Sequence, residues 1–324
     1  MTSAREGAPA EPVPDAHGEF PPAVVSLEGP FQHELVHTRG IRLHTATAGD
    51  PADPLIVLVH GSFGGWFDYR EVIEPLAQAG FHVAAVDVRG YGMSDKPPTG
   101  YGYDLRNAAG DLSGLIRALG HGSAIMVGND TGGAAAWVLA ANNPERVRAL
   151  VAVSAAHPTD LRRCIASRPW LFHRMLIRML LNQLPSGLSS RLHRFQKTAY
   201  RRQLQVNTTA EYQRSPLFEK ELELRQLAAR ISNTGPAIVH NNRLLTGVVP
   251  LSWIRQQVKV PTLLLYQEQG AWRHLATRAR QRVAAGTRVE QVAVPGTRNL
   301  PHLENPAGFV RAITDFLAEV QPQR

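Results

Sequence analysis

Asp130 stands in the run Gly128-Asn129-Asp130-Thr131-Gly132-Gly133, an acid among small residues between an apolar stretch, Ala124 to Val127, and a helical pattern, Ala134 to Ala141. A strand that turns sharply into a helix holds the central side chain in a strained backbone, projecting it into a site as a nucleophile. A carboxylate suits that work because it is already ionised near neutral pH and needs no base to activate it. Turn formation is the plainer reading of an aspartate beside glycines. Its companions favour chemistry. His60-Gly61-Ser62 closes an earlier apolar run, where a loop amide can join the amide after the nucleophile in an oxyanion hole. The backbone groups concerned are those of Ser62 and Thr131. Two more motifs complete the order: Asp87-Val88-Arg89-Gly90-Tyr91-Gly92-Met93-Ser94-Asp95-Lys96-Pro97 lies between them, and Pro295-Gly296-Thr297-Arg298-Asn299-Leu300-Pro301-His302-Leu303-Glu304 comes near the end.

Side chains so spaced need strands that end along one edge. Leu55 to Val59, His82 to Asp87, Ala124 to Val127, Val147 to Val153 and Thr262 to Tyr266 are apolar runs without alternation, as expected of strands covered on both faces. Phe31 to His37 and Ile41 to Ala48 read as two earlier strands joined at Arg39-Gly40. Helical patterns separate the apolar runs, and this β-α-β succession implies a largely parallel sheet whose functional loops sit at the carboxyl ends of the strands. Residues 158–252 interrupt the rhythm with mainly helical sequence, which predicts an inserted cap; a lid there shields a pocket from water. The division expected is a flexible Pro/Ala-rich leader over 1–29, a core over 30–157 and 253–324, and a cap over 158–252.

A chain of 324 residues with 44% hydrophobic composition suffices for one large core and a modest insertion. No apolar run approaches the roughly 18 to 20 residues that span a bilayer, and the first residues lack a secretion-signal pattern, so a cytoplasmic location is expected. The single cysteine, Cys164, excludes an internal disulfide. Much of the net charge of +8 lies between Arg162 and Arg202, a stretch without acidic residues. Within it, Trp170 to Leu181 is a cationic, partly amphipathic pattern, read as a cap helix packing its apolar side on the core, with weak contact to an anionic membrane surface as the second reading. No motif points to nucleic acid, and none calls for a cofactor or a metal.

In the order of these four motifs the chain, from about residue 31 to 320, resembles the epoxide hydrolase and haloalkane dehalogenase branch of the α/β-hydrolase superfamily. The resemblance implies an α/β-hydrolase fold: a mostly parallel eight-stranded sheet flanked by helices, with a helical cap inserted. It also implies a two-step reaction, in which the elbow aspartate attacks carbon to form an alkyl ester, and a histidine oriented by a late acid then activates water to hydrolyse it. Asp130 matches the nucleophile. Cap tyrosines hydrogen-bond the epoxide oxygen in epoxide hydrolases.

The remaining positions depart from the branch pattern. Aligning Pro301-His302-Leu303-Glu304 puts Asn299 where the catalytic histidine belongs, and an amide cannot act as the base. The late acid falls on Gly270, just after Glu268, which usually supports; the alternative acid position falls on Ser154, with Asp160 shortly after. His302 is the nearest histidine that could substitute, within a chain reach of roughly 10 Å, although a structural role is its plainer reading. His157 and His240 stand behind it. In the cap, Asn182 and the segment His240-Asn241-Asn242-Arg243 stand where relatives carry tyrosines, leaving Tyr200 and Tyr212. Phe63 replaces the usual proline after His-Gly-x. Ring opening by Asp130 is therefore expected to survive weakly and ester hydrolysis to stall, with a small apolar molecule as the ligand. The alternative is a non-hydrolytic paralogue that binds such a molecule in its capped pocket.

Overall fold

A computed structural model of the chain describes residues 14–16, 18–98, 102–173, 175–177, 196–267 and 270–320. Eight strands form one sheet: β1 (Gln32–Thr38), β2 (Ile41–Ala48), β3 (Leu55–Val59), β4 (His82–Val86), β5 (Ala124–Asn129), β6 (Val147–Val153), β7 (Thr262–Leu265) and β8 (Val289–Val292), in the order β1-β2-β4-β3-β5-β6-β7-β8. β1 pairs β2, and β2 pairs β4, antiparallel; every other pair is parallel. Arg39 (φ 46°) and Gly40 (φ 79°) make the tight turn that joins β1 to β2. β3, β4, β5 and β7 are buried throughout, which is why their sequences do not alternate.

Helices cover both faces. α1 (Arg70–Gln78) and α10 (Pro306–Val320) pack Ile73, Leu76, Phe309, Ile313 and Phe316 on one side; α2 (Leu105–Ala118), α3 (Asp130–Asn142) and α9 (Ala271–Arg282) pack Leu115, Trp137 and Leu275 on the other. The strand order reverses around β3, and the register brings Val59 opposite Gly128. The loops after β3 and β5 therefore emerge side by side, at the switch point where open α/β sheets carry their sites.

Between β6 and β7 the described elements are helical: α4 (Pro158–Ser167), α5 (Gln196–Asn207), α6 (Ala210–Arg214), α7 (Pro216–Ala229) and α8 (Thr234–Asn242). A third cluster, including Tyr200, Leu204, Phe218, Leu222, Leu300 and Leu303, joins this insertion to the strand ends. α4 belongs to the main core instead, where Asp160 receives two hydrogen bonds from Arg282 at 2.7 and 2.8 Å. Among the described residues of the basic stretch, Phe172 is buried in the main core and Met175 and Leu176, three and four residues on, pack against it, whereas Trp170, Leu171 and Ile177 are exposed. Its positions 178–181, together with Asn182, lie outside the described residues.

The segment expected to be a flexible leader, residues 1–29, carries structure from Gly18 onward. Phe20 pairs with Ile231 of the insertion through Phe20 N to Arg230 O (2.9 Å) and Ser232 N to Phe20 O (3.3 Å). A 3-10 turn over Pro22–Val25 then buries Val25, whose carbonyl accepts from the Trp66 indole at 3.0 Å. Apolar periodicity could not reveal this contact, because it depends on two isolated side chains, Phe20 and Val25. Among the described residues no helix is long and apolar enough to cross a membrane.

Candidate active site

Asp130 is the first residue of α3 and adopts φ 47°, left-handed backbone that a side chain with a Cβ occupies only at a cost. The turn is tight enough that Gly132 has no room for a side chain: a Cβ there would lie 2.4 Å from the His60 carbonyl oxygen. Oδ2 of Asp130 accepts the Ser62 amide at 3.2 Å. That amide is aimed by its neighbours, since the Tyr91 hydroxyl donates to the Ser62 carbonyl at 2.9 Å and the Ser62 hydroxyl donates to Thr131 Oγ1 at 3.2 Å. His60 fixes the start of the loop. Its Nδ1 contacts the Gly61 carbonyl at 2.7 Å and its Nε2 accepts the Val88 amide at 3.1 Å, a pairing for one neutral tautomer; burial lowers its pKa to match.

Asp130 opens onto a cavity of about 230 Å³. Ala155, Ala156, Leu161, Met175, Trp272 and Leu275 make its apolar side, and Asn129, Ser154, Gln203, Asn207 and Asn299 are amides and a hydroxyl on its lining. Asn299 is held at all four polar atoms. Its Nδ2 donates to Asn207 Oδ1 (2.8 Å), its backbone N to the Asn207 carbonyl (3.0 Å), and its two oxygens accept from Ser154 Oγ (3.4 Å) and Asn129 Nδ2 (3.3 Å). Glu304 clamps both flanks, accepting the Arg298 amide at 2.7 Å and the Thr209 amide at 2.6 Å.

The sequence of this chain matches the family profile described as alpha/beta hydrolase fold over residues 54–270. The chain belongs to the α/β hydrolase fold family. It is 29% identical to epoxide hydrolase 3 of Xenopus tropicalis over 320 aligned residues, 92% of this chain and 81% of that protein. The AB hydrolase superfamily protein YfhM of Bacillus subtilis is 38% identical over 156 residues, 48% of this chain and about half (54%) of that protein's length. The crystal structure of epoxide hydrolase A from Mycobacterium thermoresistibile superposes with a TM-score of 0.72 and 25% identity, over 90% of this chain and 100% of that one. In sequence this α/β hydrolase is thus epoxide hydrolase-like.

Among the described residues no histidine lines the cavity of this α/β hydrolase. His302, the candidate substitute base, is completely buried between Tyr69 and Phe309, at ring-centroid distances of 4.7 and 5.7 Å. Neither of its ring nitrogens has a hydrogen-bond partner, and burial pushes its pKa down to about 3. A ring so enclosed cannot take up a proton from water in the cavity. His157 caps α4 by accepting the Thr159 amide at 3.3 Å, and burial likewise lowers it to about 3. His240 stacks on Tyr103 at 5.4 Å. Gly270, at the late-acid position, is exposed at the start of α9 with φ 62°, a backbone state that favours glycine; Glu268 lies outside the described residues.

Asp68, Tyr200, Gln203, Asn207 and Arg225 line the cavity but escaped the motif reading. Arg225 on α7 donates to the Phe63 carbonyl (2.6 Å), Asp68 (2.9 Å) and Glu221 (3.1 Å), and Glu221 also accepts from Arg70 at 2.9 Å. Burial lifts the Asp68 carboxyl to about 7 against the pull of Arg225. Tyr200 is buried in the cavity wall, its ring edge-on to Phe63 at 5.1 Å, and burial raises its pKa. The only sequence signal for Tyr200 was the shortage of other tyrosines in the insertion.

Proposed function

We propose that this α/β hydrolase uses Asp130 to open a small epoxide and retains the resulting ester, because its cavity holds an amide where a general base is needed. One carboxylate oxygen of Asp130 attacks an epoxide carbon, the C–O bond of the ring breaks, and the freed oxygen takes a proton supplied from solvent through the Tyr200 hydroxyl. The product is a hydroxyalkyl ester on Asp130. Hydrolysing it requires a water activated by proton removal, and the oxyanion on Oδ2 has its donor ready in Ser62. Among the described residues no histidine base lines the cavity: Asn299 stands there, and its carboxamide has no lone pair basic enough to take the proton. Loss of a positioned base slows such a step by about 10² to 10⁴-fold.

The observation that carries this reading is that no histidine among the described residues lines the cavity around Asp130, whose strained backbone and hydrogen bond from the Ser62 amide hold it in place. Intact-mass spectrometry after exposure to a small terminal epoxide tests it. One adduct per chain, mapped to Asp130 and absent from Asp130→Asn, with less than one equivalent of diol released, is the expected result. Sustained diol formation that needs Asp130 makes the protein a complete hydrolase instead. No adduct from any epoxide makes it a binding protein that keeps the cavity without the chemistry.

A further inference from the structure

Tyr200, Gln203 and Asn207 recur on α5 at intervals of three and four residues, so they share one face, and all three line the cavity with Asp130. Their hydrogen-bonding capacity is largely unused. Asn207 Nδ2 gives one hydrogen to the Gln203 carbonyl at 2.8 Å and Asn299 Nδ2 gives one to Asn207, leaving a second N–H on each amide. The Tyr200 hydroxyl and the Gln203 carboxamide have no hydrogen-bond partner among the described residues, and Gln203 is only partly exposed. A wall of this kind is costly beside an apolar ligand, because each group then loses water and gains nothing. Its own groups are uncharged; of the charged side chains that share the cavity, Arg225 is engaged by Asp68, Glu221 and the Phe63 carbonyl, and the Asp130 carboxylate repels an anion.

Resting on the reading of Asp130 as a nucleophile, we infer that the substrate is a small epoxide carrying an uncharged hydrogen-bonding substituent, a hydroxyl or carboxamide, that docks on Gln203 and the neighbouring Asn207 and Asn299 amides. Gln203 is then a specificity-determining residue. This departs from the small apolar ligand expected from sequence, and it assigns the apolar side of the cavity to the remaining carbon skeleton.

Glycidol and 1,2-epoxybutane make the test, since they differ by a hydroxyl in place of a methyl. The rate of adduct formation on Asp130 is followed by intact mass for each, and each rate is divided by that epoxide's rate with acetate ion in water. The wild-type protein is expected to favour glycidol by about tenfold, the effect of one well-formed hydrogen bond in a site built for it. Gln203→Met keeps the length of the side chain and removes its polar atoms, so the ratio falls to within about threefold. Equal rates in the wild type, or faster labelling by epoxybutane, overturn the substrate assignment and leave Asp130 as nucleophile. A ratio unchanged in a folded Gln203→Met overturns the part given to Gln203. Adducts from neither epoxide overturn the reading of Asp130 itself. The wild-type ratio decides the substrate class even where the variant does not fold.

Discussion

Asn299 is wired into the site rather than left over in it. An imidazole at that position meets ready partners: Asn207 Oδ1 and Ser154 Oγ both lie within reach of the present side chain, at 2.8 and 3.4 Å. Asn299→His is therefore expected to shorten the life of the Asp130 ester by about tenfold or more, measured by intact mass after excess epoxide is removed. Full restoration is not expected, because Gly270 supplies no carboxylate to orient the ring. An ester that decays at the same rate in both proteins argues that something other than the base limits its release. At this scale the sequence was legible where chemistry is local. Asp130, Ser62 and Asn299 sit in short motifs whose spacing is their geometry. Asp68, Tyr200, Asn207, Gln203 and Arg225 were not legible as a set, because only the packing of α5 and α7 on the loop after β3 brings them together.

That packing is an element-scale property, and α7 is its anchor. Through Arg225 and Glu221 it grips Asp68, Arg70 and the Phe63 carbonyl, with Arg225, Asp68 and Glu221 nearly inaccessible. Replacing Arg225 by Met leaves two buried carboxylates without their shared counter-charge. The expected loss of stability is about 3 to 5 kcal/mol, read from urea denaturation. A loss below about 1 kcal/mol shows that water compensates the cluster. The strands were readable because continuous apolar runs mark a doubly covered sheet. β8 was not located: Val289–Val292 is four residues long and half-buried along its whole length, so its pattern resembles any short polar connection. The inserted helices were recognised by the break in rhythm, whereas their contacts depend on side chains far apart in the chain.

The whole molecule carries a cost in acid that its buried histidines set. His302 and His157 are neutral in the fold, lowered to about 3 from 6.5, and both recover their ordinary affinity for a proton on unfolding. Between these values the unfolded chain holds more protons on these two imidazoles than the native one, so their contribution is complete above about pH 6.5 and falls as pH drops below it; His60, also lowered by burial, acts in the same direction, and Asp68, raised to about 7, acts against it. Each imidazole contributes about 1.4 kcal/mol per pH unit in that window. Urea denaturation between pH 7 and 5 checks this, and His302→Phe should lessen the slope by up to about 1.4 kcal/mol per pH unit; an unchanged slope excludes His302 as a source.

The N-terminal segment adds a long-range tie that no composition measure anticipated. Phe20 is seated on Arg230 and Ile231 of the insertion, while Val25, five residues later, is sealed under Trp66 of the core. One short stretch thus holds both bodies that enclose the cavity, and the tie is reciprocal in thermodynamic terms. Phe20→Ala is therefore expected to free the insertion more than it unsettles the sheet, read as faster proteolytic cleavage between β6 and β7 than in the wild type; cleavage at an unchanged rate shows that the tie at Phe20 holds nothing in place.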